Sequence, residues 1–392
     1  MNVLIFASQF DNGALEILQR HLANDLKEIG VDVFLLNMYS KSSKESSKNK
    51  CLFEKKISKR YFLDLPLHPN LLNILFGIIK LRFILKKEKI DIVETSTESL
   101  SILTSIATLG TNTHHIIGIH KTYKRKSGYR NGIRENLLKI FSKLNKKTSF
   151  YAVSEWAKKS WINFSNTKNN KIKVIYNCID LKENIHDKKS IKQKLLNEFN
   201  IPEGSKIILS IGRICSHKNQ DFLIKSLGSI LRKEDYYIIL VGDIDIVKKG
   251  SDQTINKINV LIKKYDIKPF VKFAGYRKDI KELMLISDVF VHASLSEAFG
   301  LVLIEAMSMG LPIVSSKTEA IPEFIYGPGN FLIEENDLKS FRTAVKKVLS
   351  TNANRRKYIS IRNKNIGKSP LFYRSTRAKN MYKLFKEVLK VE

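Results

Sequence analysis

Cysteines, acidic side chains and long apolar runs are all scarce in this sequence. The three cysteines, Cys51, Cys178 and Cys215, lie far apart and match neither a zinc-ligand nor a redox spacing. This scarcity excludes a disulfide-stapled secreted scaffold and predicts a reduced, cytoplasmic protein. The longest apolar run, residues 70–85, contains basic side chains and is shorter than the roughly 20 residues of a membrane span, so it predicts a buried helix with a basic end.

Basic residues far outnumber acidic ones, with 68 Lys and Arg against 38 Asp and Glu and a formal net charge of +30. Nucleic acid, an anionic membrane and phosphate-bearing small molecules are all compatible partners for such a chain. Aromatic and basic residues are interleaved at residues 120–130, which keeps a nucleic-acid-binding protein as one alternative. No known nucleic-acid-binding module is legible in the sequence, however, so we expect no nucleic-acid partner.

Short apolar strands alternate with helices along the chain, which indicates an α/β fold with parallel sheets covered on both faces. A chain of 392 residues that is 43% hydrophobic is expected to form two such doubly wound domains. The predicted strands of the first half are 3–7, 31–36, 91–95, 114–120, 149–154 and 173–177. Those of the second half are 206–212, 236–242, 271–275, 288–293 and 312–316. Ligands of such sheets bind at the carboxyl ends of the strands, and a central cleft between two facing domains is the default site.

Two glutamates flank an uncharged turn in the stretch SEAFGLVLIEAMSMGLPIVSS. Glu297 follows a predicted strand, and Glu305 lies in a helix predicted to run from about Gly300 to Met309. The residues between them, Ala298 to Leu301, then form a helix N-terminus whose free N–H groups favour an anion. Carboxylates only accept hydrogen bonds and therefore bind hydroxyl groups. The pattern predicts a ligand with hydroxyls on both sides of its phosphates, as in a nucleotide sugar.

Positive partners for such a diphosphate are expected at another strand end. Arg213 directly follows the predicted strand 206–212, and Lys218 precedes the next helix. Arginine suits bidentate phosphate contacts and lysine acts as a point charge. Together they would neutralise a diphosphate leaving group without a metal, so no cofactor is expected.

These features together resemble those of a known family. They are Gly212-Arg213, Lys218, Glu297-x7-Glu305-Ala306-Met307 and Gly310-x-Pro312. The combination is similar to that of the retaining glycosyltransferases of family 4, which have the GT-B fold, and the likeness covers most of the second half and the layout of the first. It implies that Arg213 and Lys218 bind the donor diphosphate, that Glu305 binds the ribose, and that Glu297 contacts the transferred sugar.

The resemblance extends these assignments to further residues. Backbone contacts to sugar and phosphate would be made by Ala298, Phe299, Gly300 and Leu301. The base would lie near Tyr276 and Arg277, and His120 would lie near the reacting sugar. The first loop often carries two glycines in this family, whereas here only Gly13 is a glycine. By the same resemblance, Gly13 and Gly212 would belong to the donor site. The catalytic residues implied are His120, Arg213, Lys218 and Glu297.

The resemblance also implies a domain plan and a reaction. Residues 1–177 would form the acceptor-side domain, 178–371 the nucleotide-sugar domain, and 372–392 a helix crossing back to the first. The implied reaction is transfer of a sugar, with a UDP-sugar as donor, in cell-surface polysaccharide synthesis. The alternative is a metal-dependent transferase of the GT-A type, because Asp243 and Asp245 follow a strand and two such carboxylates can hold a divalent cation.

A basic segment points to the acceptor. It begins after the strand 114–120 and contains Lys121, Lys124, Arg125 and Lys126. Basic residues of this kind suit an acceptor that carries phosphate or lies in an anionic membrane. The sequence therefore predicts a glycan or lipid-linked acceptor and peripheral contact at the inner face of the plasma membrane.

Overall fold

The computed structural model describes residues 1–8, 13–39, 57–66, 68–123, 132–181, 187–244 and 251–390. The chain divides into two compact units. Unit 1 comprises Met1–Cys178 and Pro370–Glu392, and unit 2 comprises Ile179–Ser369. These divisions fall within a few residues of the boundaries proposed at 177 and 371.

Unit 1 is built on a parallel sheet in the order β3-β2-β1-β4-β5-β6-β7. Its strands are β1 Asn2–Ala7, β2 Asp32–Tyr39, β3 Lys59–Leu65, β4 Ile92–Thr95, β5 His114–Ile119, β6 Thr148–Ala152 and β7 Ile172–Val174. Its helices are α1 Ala14–Glu28, α2 Leu71–Lys87, α3 Glu98–Ala107, α4 Ile133–Leu144 and α5 Glu155–Ser165. The central strands are buried on both faces, as expected for a parallel sheet between helix layers.

Unit 2 has a second parallel sheet in the order β10-β9-β8-β11-β12-β13. Its strands are β8 Lys206–Ile211, β9 Tyr236–Val241, β10 Val271–Gly275, β11 Val289–His292, β12 Ile313–Ser316 and β13 Phe331–Ile333. Its helices are α6 Lys188–Glu198, α7 Gln220–Leu231, α8 Ser251–Tyr265, α9 Ile280–Ile286, α10 Leu301–Ser308, α11 Ile321–Phe324, α12 Leu338–Leu349 and α13 Ala353–Gly367.

The last helix, α14 (Arg374–Leu389), belongs to unit 1 and packs against α1. Arg374 forms an ion pair with Asp25 of α1, and the Arg377 Nη1 donates to the Leu18 carbonyl at 2.8 Å. Arg377 is only 2% exposed. The last helix is thereby attached to the first helix of the same unit.

The apolar run at residues 70–85 forms α2, but the expectation that this helix is buried is wrong. Asn70 begins the helix with a capping box formed with Asn73. The buried residues of α2 are only Gly77, Leu81, Ile84 and Leu85, and most of its other large apolar side chains are exposed. Among the described residues, no helix combines the length and apolar character needed to cross a bilayer.

His115 on β5 is a structural residue. Its ring is fully buried, with Nε2 2.8 Å from the Thr95 hydroxyl and Nδ1 3.1 Å from the Ser105 hydroxyl. Burial lowers the pKa of His115 from 6.5 to about 3. The ring therefore stays neutral in the folded protein at pH values where the unfolded chain takes up a proton.

This difference predicts a loss of stability in acid. Between the unfolded pKa of about 6.5 and the folded pKa of about 3, the unfolded state binds the extra proton, so the free energy of unfolding falls as pH falls. At pH 5 the expected loss from His115 is about 2 kcal/mol. Urea unfolding at pH 7.5 and pH 5 measures it, and His115→Gln should show a flatter pH dependence. Equal slopes for the two proteins would contradict the assignment.

Candidate functional site

The carboxyl ends of β8 and β9 form a closely packed backbone platform in unit 2. The Gly212 N–H donates to the Val241 carbonyl at 2.8 Å, and a Cβ added at Gly242 would lie 2.2 Å from the Gly212 carbonyl oxygen. Gly242 is therefore required for this approach. The buried Gln220, the first residue of α7, donates to the carbonyls of Gly212 and Arg213 at 3.3 and 2.8 Å. Arg213 lies at the start of the loop between β8 and α7, and its side chain is exposed.

Lys218, Glu297 and His292 form a partly buried polar network at neighbouring strand ends. The Lys218 ammonium makes an ion pair with Glu297 Oε1, and the two side chains are 21% and 14% exposed. His292, the last residue of β11, donates from Nε2 to the same oxygen at 3.1 Å. Burial would raise the pKa of Glu297, but the hydrogen bond from His292 and the charge of Lys218 hold it well below its usual range. Glu297 is therefore an ionised carboxylate in the fold.

Glu319 fixes the loop that carries Glu297. Its carboxylate accepts hydrogen bonds from the Glu297 N–H at 2.8 Å and the Ser296 hydroxyl at 2.7 Å. The Ala320 N–H donates in turn to the Glu297 carbonyl at 3.2 Å. Glu319 has a φ of +45°, a left-handed conformation that favours glycine, and this loop holds it there.

The turn after Glu297 leads into α10, close to the predicted start. Gly300 is the N-cap with a φ of +80°, and no side chain caps the helix. Phe299 is buried against Phe324, with ring centroids 4.6 Å apart. This apolar anchor fixes the turn, while the first two N–H groups of α10, those of Leu301 and Val302, can donate to an anion.

Glu305 is half-buried on α10, and its carboxylate has no hydrogen-bond partner among the described residues. Burial raises the pKa of Glu305 to about 7, with opposing charge effects from Lys281, which lowers it, and Asp180, which raises it. A carboxyl group in this condition can accept hydrogen bonds from a ligand's hydroxyls, which would favour its charged form.

Tyr276 and Arg277 follow β10, and their side chains differ in exposure and contacts. The Tyr276 ring is 52% exposed, and its N–H donates to Asp243 Oδ1 at 3.0 Å. The Arg277 guanidinium donates to both oxygens of Asp279, at 2.8 and 2.6 Å, and also pairs with Glu198. These contacts hold Arg277 beside its own loop. The Asp243 carboxylate joins the loops that follow β9 and β10. Asp245 lies outside the described residues.

In unit 1, His120 directly follows β5 and contacts a buried polar cluster formed by Tyr151, Glu94 and Ser96. The His120 Nε2 is 3.1 Å from the Tyr151 hydroxyl, which donates to Glu94 Oε1 at 2.8 Å. Glu94 is fully buried at the carboxyl end of β4 and also accepts from Ser96 at 2.5 Å and Gln19 at 3.3 Å. Burial raises the pKa of Glu94.

The same cluster keeps His120 neutral. Burial, followed by the positive charge of Arg377 from α14, lowers the pKa of His120 to about 3. His120 is therefore an uncharged imidazole near pH 7, suited to hydrogen bonding rather than to carrying charge.

Gly13 and Lys121 complete the predicted residues that the structure describes. Gly13 is the N-cap of α1, and a Cβ there would lie 2.1 Å from a Glu16 carboxylate oxygen. Lys121 forms ion pairs with Glu98 and with Glu135, the latter at 2.9 Å, so two carboxylates offset its charge. The other basic residues predicted to contact a membrane, Lys124, Arg125 and Lys126, lie outside the described residues.

Several residues of these clusters were not predicted from the sequence to be site residues. They are His292, Gln220 and Glu319 in unit 2, and Glu94, Tyr151 and Arg377 in unit 1. The available signal was a polar residue at the end of an apolar strand, as at Glu94 in DIVET and His292 in VFVH. Within the described ranges, no group of three His, Cys, Asp or Glu side chains lies close enough together to hold a metal ion.

Two family models match successive parts of the chain. Residues 15–183 match the model described as Glycosyltransferase Family 4, and residues 191–365 match the model described as Glycosyl transferases group 1.

Curated relatives match over different lengths. N-acetyl-alpha-D-glucosaminyl L-malate synthase of Bacillus anthracis is 32% identical over 170 residues, which span 43% of this chain and 42% of that protein. UDP-Gal:alpha-D-GlcNAc-diphosphoundecaprenol alpha-1,3-galactosyltransferase of Escherichia coli is 27% identical over 287 residues, 71% of each chain. The first alignment thus spans less than half of the relative's own length.

Solved structures share the fold over the whole chain. A glycosyltransferase from Rickettsia africae has a TM-score of 0.83 at 22% identity, covering 100% of this chain and 99% of that one. Anabaena HepE, solved in complex with UDP and glucose, has a TM-score of 0.80 at 19% identity, covering 98% and 99% of the two chains. At these identities the likeness shows the fold alone.

Proposed function

The chain belongs to the group 1 and family 4 glycosyltransferases of the GT-B fold, and we propose that it transfers a sugar from a UDP-sugar to a glycan or lipid-linked acceptor with retention of anomeric configuration. The GT-B fold excludes the alternative of a GT-A-type transferase, because the two parallel sheets form separate α/β units. The biological role proposed is cell-surface polysaccharide synthesis on the cytoplasmic side of the membrane.

The observation that carries the proposal is the pair of glutamates on either side of the α10 N-terminus. Glu297 is held ionised by Lys218 and His292, while Glu305 keeps a carboxyl group without a hydrogen-bond partner among the described residues. The helix start between them offers N–H groups to phosphate. This spacing fits a ribose diol at Glu305, the diphosphate at the turn and the transferred sugar at Glu297.

The residues have distinct proposed roles in the transfer. Lys218 and Arg213 stabilise the negative charge that grows on the leaving diphosphate, and the Lys218 ammonium has three hydrogens to share between Glu297 and a phosphate oxygen. Glu297 accepts hydrogen bonds from sugar hydroxyls and orients the ring. The acceptor hydroxyl attacks from the face on which the diphosphate leaves and gives its proton to the departing phosphate oxygen, so no carboxylate has to act as a covalent nucleophile.

Unit 1 is proposed to serve the acceptor side. His120 supplies a neutral hydrogen-bonding group at the end of β5, held by Tyr151 and Glu94. The Escherichia coli relative is named for a diphosphoundecaprenol acceptor, and a lipid-linked diphosphate would suit the basic segment after β5. Lys121, which is already paired with two carboxylates, is expected to contribute less than Lys124, Arg125 and Lys126.

Incubating the purified protein with a panel of UDP-, GDP- and ADP-sugars in EDTA tests the proposal. We expect slow hydrolysis of one or a few UDP-sugars that EDTA leaves unchanged, since Lys218 and Arg213 provide the charge that a metal would otherwise supply. A Glu297→Gln protein serves as the inactive control.

Two results would count against this function. Hydrolysis of no donor, with tight binding to RNA or DNA, would favour the nucleic-acid alternative. Activity lost in EDTA and restored by Mn²⁺ would favour a metal site at Asp243 and Asp245.

A further inference from the structure

The outward face of α2 is an apolar stripe that no other element of the described residues covers. Its exposed side chains are Leu71, Leu72, Leu75, Phe76, Ile79 and Phe83, with exposed fractions between 47% and 72%. They recur at the i, i+1, i+4, i+5, i+8 and i+12 positions, which lie on one side of a helix. The buried residues of α2 lie on the opposite side. A contiguous exposed apolar patch made of six large side chains marks an interaction surface.

A second stripe lies on α4. Its exposed side chains are Ile133, Leu137, Ile140 and Leu144, spaced at the i, i+4, i+7 and i+11 positions. Leu138 and Ser142 are its buried residues and lie on the opposite side. Because α2 packs against α3 and α3 against α4, both stripes belong to the same helix layer of unit 1. We refer to these ten exposed side chains as the apolar face.

Basic side chains border the apolar face. Arg82 and Lys86 are exposed on α2 next to Phe83. With Phe83 and Lys89 they line a cavity of about 520 Å³ that also includes Asp91. The last turn of α2 thus combines an apolar surface with positive charge, a combination that is typical of helices lying at an anionic membrane interface.

We propose that the apolar face of α2 and α4 lies on the surface of an anionic lipid bilayer, with Arg82 and Lys86 at the phosphate level. The basic border argues against a second copy of this chain, because pairing two such faces would bring like charges together on proteins that each carry +30. An anionic bilayer instead offers an acyl-chain region for the apolar side chains and negatively charged head groups for Arg82 and Lys86.

This arrangement also fits a lipid-linked acceptor, and that part rests on the proposed function. The helices α2 and α4 follow β3 and β5, so both begin at the carboxyl edge of the unit 1 sheet. His120 lies at the same edge. An acceptor whose lipid remains in the bilayer would present its head group near that edge.

Co-sedimentation of the full chain with vesicles tests the proposal. Vesicles of phosphatidylcholine with about one third phosphatidylglycerol are expected to bind the wild-type protein, with part of the binding resistant to high salt. Phe76→Ser combined with Ile79→Ser should weaken binding at least about tenfold, because each removed side chain would be buried in the interface. The matched control is Val260→Ser combined with Ile361→Ser, two similarly exposed residues of unit 2 that should leave binding unchanged.

A second variant separates charge from apolar contact. Arg82→Ser combined with Lys86→Ser should remove most of the preference for vesicles with phosphatidylglycerol over pure phosphatidylcholine, while the salt-resistant part remains. Unchanged thermal melting of all variants would exclude misfolding, since every substituted side chain is exposed.

Two outcomes would overturn the proposal. One is vesicle binding by the Phe76/Ile79 variant equal to that of the wild type. The other is a wild-type dimer in solution, seen by light scattering, that this variant abolishes, since it would identify a second copy as the occupant. Donor hydrolysis without vesicles is measured in parallel, so that the two proposals can fail separately. If the wild-type protein hydrolyses a donor but does not bind vesicles, the proposal for the apolar face is wrong and the proposed function stands. If it binds vesicles but hydrolyses no donor, the proposed function is wrong and the proposal for the apolar face stands.

Discussion

Lys218→Ala is expected to slow sugar transfer by about 10²- to 10³-fold, the usual effect of removing one group that stabilises transition-state charge. The ammonium of Lys218 is a partly buried positive charge beside the proposed diphosphate position, and it also pairs with Glu297. The charge on the leaving group grows as the bond to the sugar breaks, so kcat should fall more than KM rises.

Steady-state kinetics with the donor found in the panel measures this effect. Lys225→Ala is the matched control, because Lys225 is an exposed lysine on α7. It should have wild-type kinetics. Near-normal turnover of Lys218→Ala would remove Lys218 from the catalytic role, and a rise in KM alone would indicate that it only binds the donor.

Glu305→Ala is expected to weaken donor binding by roughly ten- to a hundredfold, because a hydrogen bond to a charged group contributes about 1.5–3 kcal/mol. Calorimetry with the donor measures the dissociation constant. Unchanged affinity would show that Glu305 does not bind the ribose.

The raised pKa of Glu305 gives this role a pH signature. Hydroxyl donors stabilise the carboxylate, so the pKa of about 7 should fall when the donor binds, and binding should release a proton. Affinity should then rise roughly tenfold between pH 6 and pH 8. Calorimetry in buffers of different ionisation enthalpy counts the protons, and Glu305→Gln should release none. Proton uptake by the wild type would contradict the assignment.

Most of the fold follows from strand and helix patterning, and the elements that do not are edge or surface elements. The strands β3 and β13 were missed because Lys59–Leu65 mixes polar and apolar residues at a sheet edge and Phe331–Ile333 is only three residues long. The burial of α2 was wrongly predicted because an apolar sequence does not reveal whether a second layer covers it. Both faces of α2 are apolar, and only the contacts of the fold separate them.

The candidate site was predicted where its residues stand together in the sequence. Glu297, the α10 turn and Glu305 lie within one strand–helix unit, so their spacing alone places them at a strand end. The network around them depends on distant pairs, such as Lys218 with Glu297 and Tyr151 with Glu94. No local pattern specifies which strand ends become neighbours, so His292, Glu319 and the cluster that His120 contacts needed the sheet order.

The anomeric configuration of the sugar released from an α-linked UDP-sugar tests the central claim most directly. Proton NMR, recorded before the sugar mutarotates, distinguishes the two anomers. A retaining transferase that uses Lys218, Arg213 and Glu297 as proposed releases the α-anomer first, and Glu297→Gln releases the sugar much more slowly. Release of the β-anomer, or no release from any UDP-sugar, would contradict the account.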